Sequence, residues 1–253
     1  MGHRFAMKKF LIILSSVLIY NLPVLAQFGG GSAAPSSDTS LDELFSGNPV
    51  FSATQIADIT GPNGHINVKT QMYFDHGNSR SEMNMADVQG SLPPNALAQM
   101  KAIGLDKVVT INPASKTSQL TIYPNIRSYF STAVPAAAKG ASNSITITKI
   151  GSESVGGHSC IKNSVVVTSG GESHQFTTWN ATDLRNFPIE IAISDQGTSV
   201  TMTFQNVSFA AIPAYEFQPP SAYSHYDNIQ ALMQAAMMSR MSASPTPPRT
   251  PNQ

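Results

Sequence analysis

His65-Ile-Asn-Val-Lys-Thr-Gln-Met-Tyr-Phe74 decides the fold class. Ile66, Val68, Met72 and Phe74 alternate with Asn67, Lys69, Gln71 and Tyr73, a period of two that gives an extended chain one apolar and one polar face. The same rhythm returns downstream. Ile189, Ile191 and Ile193 alternate with Glu190, Ala192 and Ser194; beyond Asp195-Gln196-Gly197, Val200, Met202 and Phe204 alternate with Thr201, Thr203 and Gln205. Two such runs around a glycine turn predict a β-hairpin. Further strands are predicted over Leu120–Tyr123, Ile145–Ile150, Cys160–Thr168 and His174–Trp179. Turn residues such as Gly156-Gly157 and Ser169-Gly170-Gly171 separate them. Short turns favour antiparallel neighbours, since a parallel crossover needs about a dozen residues.

Two segments break this rhythm. Asn95–Leu105, behind Pro93-Pro94, is predicted helical and carries Leu97 and Met100. Tyr226–Met241 places Ile229, Leu232, Met233, Ala236 and Met237 at the three-and-four spacing of an amphipathic helix. A shorter helix or turn is expected over Asp38–Phe45, where Leu41, Leu44 and Phe45 fall on one side.

The ends have a different character. Lys8 and Lys9 precede an apolar run from Phe10 to Leu25, closing on Ala26 before Gln27. That is the three-part grammar of a secretory signal peptide, with Met7 read as the start. Residues 27–40 form a linker rich in Gly, Ser and Ala. A single β-rich domain is expected over 41–241, followed by a Pro-rich, disordered tail over 242–253. Loss of Arg4, Lys8 and Lys9 with the leader leaves 12 basic against 15 acidic side chains, a net charge of −3. No basic stripe is left for nucleic acid.

Sequence motifs for chemistry are lacking. The chain has no Gly-x-x-x-x-Gly-Lys phosphate loop, no His-Glu-x-x-His helix and no Gly-x-Ser-x-Gly elbow. His65, His76, His158, His174 and His225 are scattered singly, so no metal or cofactor is expected. Asp183 and Glu153 read equally as a carboxylate pair or as strand-end charges. Cys160 is alone, which excludes an internal disulfide, and reads as a small buried hydrophobe, with a reactive thiol or an intermolecular link as the alternatives. No cysteine follows the leader to accept a lipid anchor, and no later run approaches the ~20 apolar residues of a membrane span. Met233, Met237, Met238 and Met241 on one helix suit an adaptable apolar surface or a helix packed on the sheet.

A resemblance then enters. Gly151-Ser-Glu153-Ser-Val155-Gly156-Gly157, Trp179-Asn-Ala181-Thr-Asp183-Leu184, Phe187-Pro188 and the late Phe217, Pro219, Pro220 and Tyr223 carry it. Upstream, Arg80-Ser81-Glu82 and Ile126-Arg127-Ser128-Tyr129 add to it. The pattern resembles the exported bacterial family known as domain of unknown function 4412, over about residues 50 to 226. That family is similar in layout to the LolA-like outer-membrane lipoprotein carriers. The resemblance implies a mainly β fold: a strongly curved antiparallel sheet, an unclosed β-barrel, with a few helices covering its concave face. It also implies an apolar cavity suited to acyl chains.

The expectation is a non-enzymatic periplasmic protein, soluble after leader removal, holding a hydrophobic ligand or lipid-modified partner between sheet and helices. Leu97, Met100, Trp179, Ile229, Met233 and Met237 are the candidate cavity residues. The alternative is an envelope structural or interaction component that uses the methionine-rich helix on a protein partner.

Overall fold

The computed structural model describes residues 44–242 except 46, 63, 91–93, 116, 135–143, 170–171 and 196. The expected leader, the linker and the tail beyond Ser242 lie outside the described residues. A first run of strands comprises β1 (Val50–Gly61), β2 (Gly64–Asp75), β3 (Asn78–Asn84), the two-residue β4 (Gln89–Gly90), β5 (Lys107–Asn112), β6 (Ser118–Tyr123) and β7 (Ser128–Ala133). A second comprises β8 (Ser144–Val155), β9 (His158–Ser169), β10 (Glu172–Ala181), β11 (Phe187–Asp195) and β12 (Thr198–Ser208). Helix α1 (Pro94–Ile103) interrupts the first run, and β13 (Ser224–Tyr226) and α2 (Ile229–Ser242) close the described chain.

All 13 strands belong to one sheet, ordered β13-β7-β6-β5-β3-β2-β1-β12-β11-β10-β9-β8, with β4 on β2. Two antiparallel meanders therefore meet at the β1–β12 pair in the middle. Curvature follows from chain reach. β7 and β8 stand ten strand spacings apart in that order, about 48 Å in a flat sheet at ~4.8 Å each. Only eleven residue steps join Ala133 to Ser144, and at ~3.3–3.6 Å each they reach about 40 Å at most. The sheet must bend to bring its ends within reach. It is a large, curved, unclosed sheet, as the expected fold class requires.

The period-two reading is met strand by strand. β2 buries Val68, Met72 and Phe74 and pairs along its length with β1. β11 and β12 form the expected hairpin, Ile191 facing Met202 and Ile193 facing Val200. Gly156 and Gly157 both take positive φ, at 57° and 87°, the two left-handed positions of a tight hairpin turn. They join β8 to β9 with Val155 opposite His158.

The helix ends have separate causes. Gly104, at φ 77°, stops α1. Its N–H bonds Lys101 O, and that of Leu105 bonds Met100 O at 2.8 Å, the paired closing bonds of a left-handed helix end. Leu105 and Met100 are both buried there. The second helix starts later than the spacing predicts, because Ser224–Tyr226 is a strand parallel to Ser128–Phe130 of β7. Asn228 then caps α2, its Oδ1 accepting from the N–H of Ala231 at 2.9 Å.

Both faces of the sheet carry a buried cluster. One carries the main core, including Phe51, Ala57, Val68, Ile191, Val200 and Met202, with Met100 and Leu232 from the helices. Of the short helix expected over 38–45, the described Leu44 and Phe45 are helical and join this core. The opposite face holds a smaller cluster of Val109, Ile111 and Ile122 under Phe217, with Tyr223 packed at its side. Arg80 fastens this covering strap. It donates to Glu82 Oε1 at 2.8 Å and to the carbonyl of Glu216 at 2.9 Å, with the Glu216 carboxylate at 3.5 Å.

Candidate binding site

The floor of the site is the helix-covered face of the sheet, and strand alternation decides what reaches it. From β1 come Phe51, Ala53, Gln55 and Ala57; opposite them on β2 stand Phe74, Met72, Thr70 and Val68. The next strands add Ser81 and Met83 from β3, Val108 and Thr110 from β5, and Thr121 from β6. All of these are buried. The floor is thus apolar, but a band of short hydroxyl side chains crosses it.

Helices α1 and α2 touch each other, and α2 also packs against β7 and β13. From α1, Met100 is buried and Leu97 half-buried against the main core. From α2, Leu232 and Ala236 are buried, while Ile229 and Met233 pack at the margin. Of the expected cavity residues, the helices bring Leu97, Met100, Ile229 and Met233 onto this core, and β10 adds Trp179 at its margin.

Met237 is not among them. It is 48% exposed, because Ala236 takes the inward position and the next residue is turned about 100° round the helix. Trp179 packs at the core margin in a charged setting. Its indole Nε1 donates to Glu153 Oε1, and Lys162 Nζ lies 4.8 Å from the ring centroid. Lys162 also bridges Glu153 at 2.9 Å.

Asp183 and Glu153 do not pair with each other through hydrogen bonds. Asp183 accepts from His158 Nδ1 at 2.7 Å, which lowers its carboxyl pKa; Glu153 is lowered by its bonds to Lys162 and Trp179. Nearby Glu190 is raised, first by burial and then by the Glu153 charge, with Lys162 opposing. A raised carboxyl pKa means that ionisation costs the folded state stability above that pKa, a cost that vanishes below the unfolded value. Glu190→Gln is therefore expected to raise the Tm at pH 7 and to leave it unchanged below about pH 4. Melting curves at the two pH values check this; a lower Tm at pH 7 would contradict it.

Of the readings of Cys160, the structure supports the buried one. The thiol is enclosed in the main core, and burial pushes its pKa up. Aromatic disulfide reagents are expected to label it only on unfolding, with rapid labelling of the native protein as the contrary result. Among the described residues no cluster of three or more His, Cys, Asp or Glu is arranged to hold a metal. No described helix is long and apolar enough to cross a membrane.

Solved structures of similar layout exist at low identity. LprF of Mycobacterium bovis is 15% identical, covering 76% of this chain and 100% of its own, with a TM-score of 0.36. Lipoprotein LppX of Mycobacterium tuberculosis is 12% identical, covering 70% and 99%, at 0.34. A DUF1329 family protein of Desulfovibrio piger is 9% identical, covering 72% and 94%, at 0.32. No family model and no curated protein matches the chain.

One floor residue escaped the sequence reading. Gln55 is 2% exposed; its Nε2 donates to Met202 Sδ at 3.2 Å and its Oε1 has no partner. The signal was present, since Phe51, Ala53, Ala57 and Ile59 alternate and put position 55 on the inward face. A glutamine in that phase breaks the apolar pattern.

Proposed function

We propose that the protein is an exported, non-enzymatic carrier of the bacterial periplasm that holds an acyl chain, free or attached to a partner, between the curved sheet and helices α1 and α2. The observation that carries this reading is where the methionines sit. Met72, Met83 and Met202 from the sheet, Met85 from the turn after β3 and Met100 from α1 all lie in the main core, with Met233 of α2 against it. Thioether side chains have three rotatable bonds and refill irregular space, so a core built from them can repack around a guest.

The energies permit exchange. Lifting α2 exposes Leu232 and parts of Ile229 and Met233, at about 1.5–3 kcal/mol for each fully buried side chain. A chain of about a dozen methylenes gains ~0.8 kcal/mol for each one buried, or about 10 kcal/mol. An acyl chain can therefore offset displacement of the helix. Native mass spectrometry of protein from a periplasmic fraction is expected to show a mass excess that organic extraction removes as acyl lipid. A clean unliganded mass, with no uptake of added acyl chains, would end the carrier reading.

A second reading rests on Met238, which is 67% exposed, beside Met237 on the outward side of α2. These positions suit contact with an envelope protein. Met237→Lys with Met238→Lys is expected to abolish that contact without changing lipid content; loss of lipid with the partner retained would reject this alternative.

A further inference from the structure

The middle of the floor is built differently from its surroundings. β1 is the seventh of the twelve strands along the sheet, and Gln55 is the sixth of its twelve residues. On the same face Ala53 and Ala57 flank it, so the strand at the centre presents two methyl groups and one amide. Branched side chains are the usual filling of such a position. The amide is enclosed, with a thioether as the acceptor for its N–H and no donor for its oxygen. Buried polar atoms in folded proteins are almost always hydrogen-bonded, and each that is not calls for a physical cause. Nothing about local folding calls for glutamine here, since a leucine would fill the volume without an unpaired oxygen.

We propose that Gln55 is the polar anchor of the interior site: its Oε1 accepts a hydrogen bond from a hydroxyl or amide N–H carried by the acyl ligand. This rests on the carrier reading and narrows its substrate class to acyl chains bearing a donor. The neighbouring Thr70, across the strand pair from Gln55 and buried with it, sets a hydroxyl beside the amide. A plain hydrocarbon threaded past the amide leaves the oxygen unpaired; a donor-bearing chain satisfies it. That difference selects between otherwise identical ligands.

Two matched probe pairs test this on the full exported chain: tetradecanol against its methyl ether, and N-methylmyristamide against N,N-dimethylmyristamide. Within each pair the members differ at the donor hydrogen and one methyl group. The donor-bearing member is expected to bind on the order of tenfold more tightly to the native protein. Gln55→Leu is expected to bind both members of each pair equally, with no loss of Tm, because an amide kept for ligand recognition does not support the fold. Equal affinity within both pairs for the native protein would overturn the anchor and leave the carrier reading standing. A Gln55→Leu variant that melts lower and loses all probes alike would show the amide to be structural, again overturning the anchor. Failure of every probe to bind would remove both the anchor and the carrier reading.

Discussion

Phe187→Ala is expected to destabilise the protein by about 4 kcal/mol, within the ~3–5 kcal/mol of a buried phenylalanine truncation. The ring is fully buried and is the hub of an aromatic cluster. Its centroid lies 4.9 Å from Phe51, 5.4 Å from Phe45, 5.7 Å from Phe204 and 6.0 Å from Phe209. Those neighbours come from the segment before β1, from β1 itself, from β12 and from the chain just after it. One side chain thus ties both meanders to the preceding segment, so the cavity left by alanine cannot be closed from one side. At ~2–4 °C per kcal/mol for a domain of this size, the Tm is expected to fall by about 10 °C or more. Trp179→Ala serves as the comparison, because its ring is half-exposed beside Glu153 and Lys162. It is expected to cost about 1–2 kcal/mol, at the middle of the usual range for single substitutions. Equal losses for the two variants would refute the view that the cluster around Phe187 is the mechanical centre of the sheet.

That contrast shows what periodicity can and cannot reveal. Alternation in β2, β11 and β12 marks which side chains face inward, because strand geometry alone fixes it. The turn glycines at 156 and 157 are similarly local. Strand order is not local: β1 pairs with β12 across more than a hundred residues of chain, and no short pattern encodes that contact. The start of α2 departs from the helical spacing for the same reason. Tyr226 fits a helical period with Ile229 and Met233, yet its backbone is captured by β7, a tertiary pairing that overrides local spacing. Helical spacing places Leu97, Met100, Ile229 and Met233 on the apolar side of their helices, and all four pack on the main core. It erred on Met237 at the edge of the apolar stripe, where a rotation of one residue decides between core and solvent. Gln55 was legible in principle, but only to a reading that asks which polar residue stands in an apolar phase.

Leu232→Ala bears most directly on how a guest enters. Leu232 of α2 is fully buried, and its truncation is expected to cost about 3 kcal/mol. Where that cost appears distinguishes a movable cover from a fixed wall. The helix adjoins α1 and the strands β7 and β13 at one end of the sheet order, while β1 and β2 lie in its middle. An element so placed can open without unfolding the centre. Hydrogen exchange of the amides in 229–242 is therefore expected to accelerate about a hundredfold, since each ~1.4 kcal/mol is a factor of ten. Amides of β1 and β2 are expected to keep their native exchange rates. If instead β1, β2 and α2 all lose protection by the same factor, α2 opens only when the whole domain does. An acyl chain would then have no route beneath it short of global unfolding, and loading through displacement of this helix would be excluded.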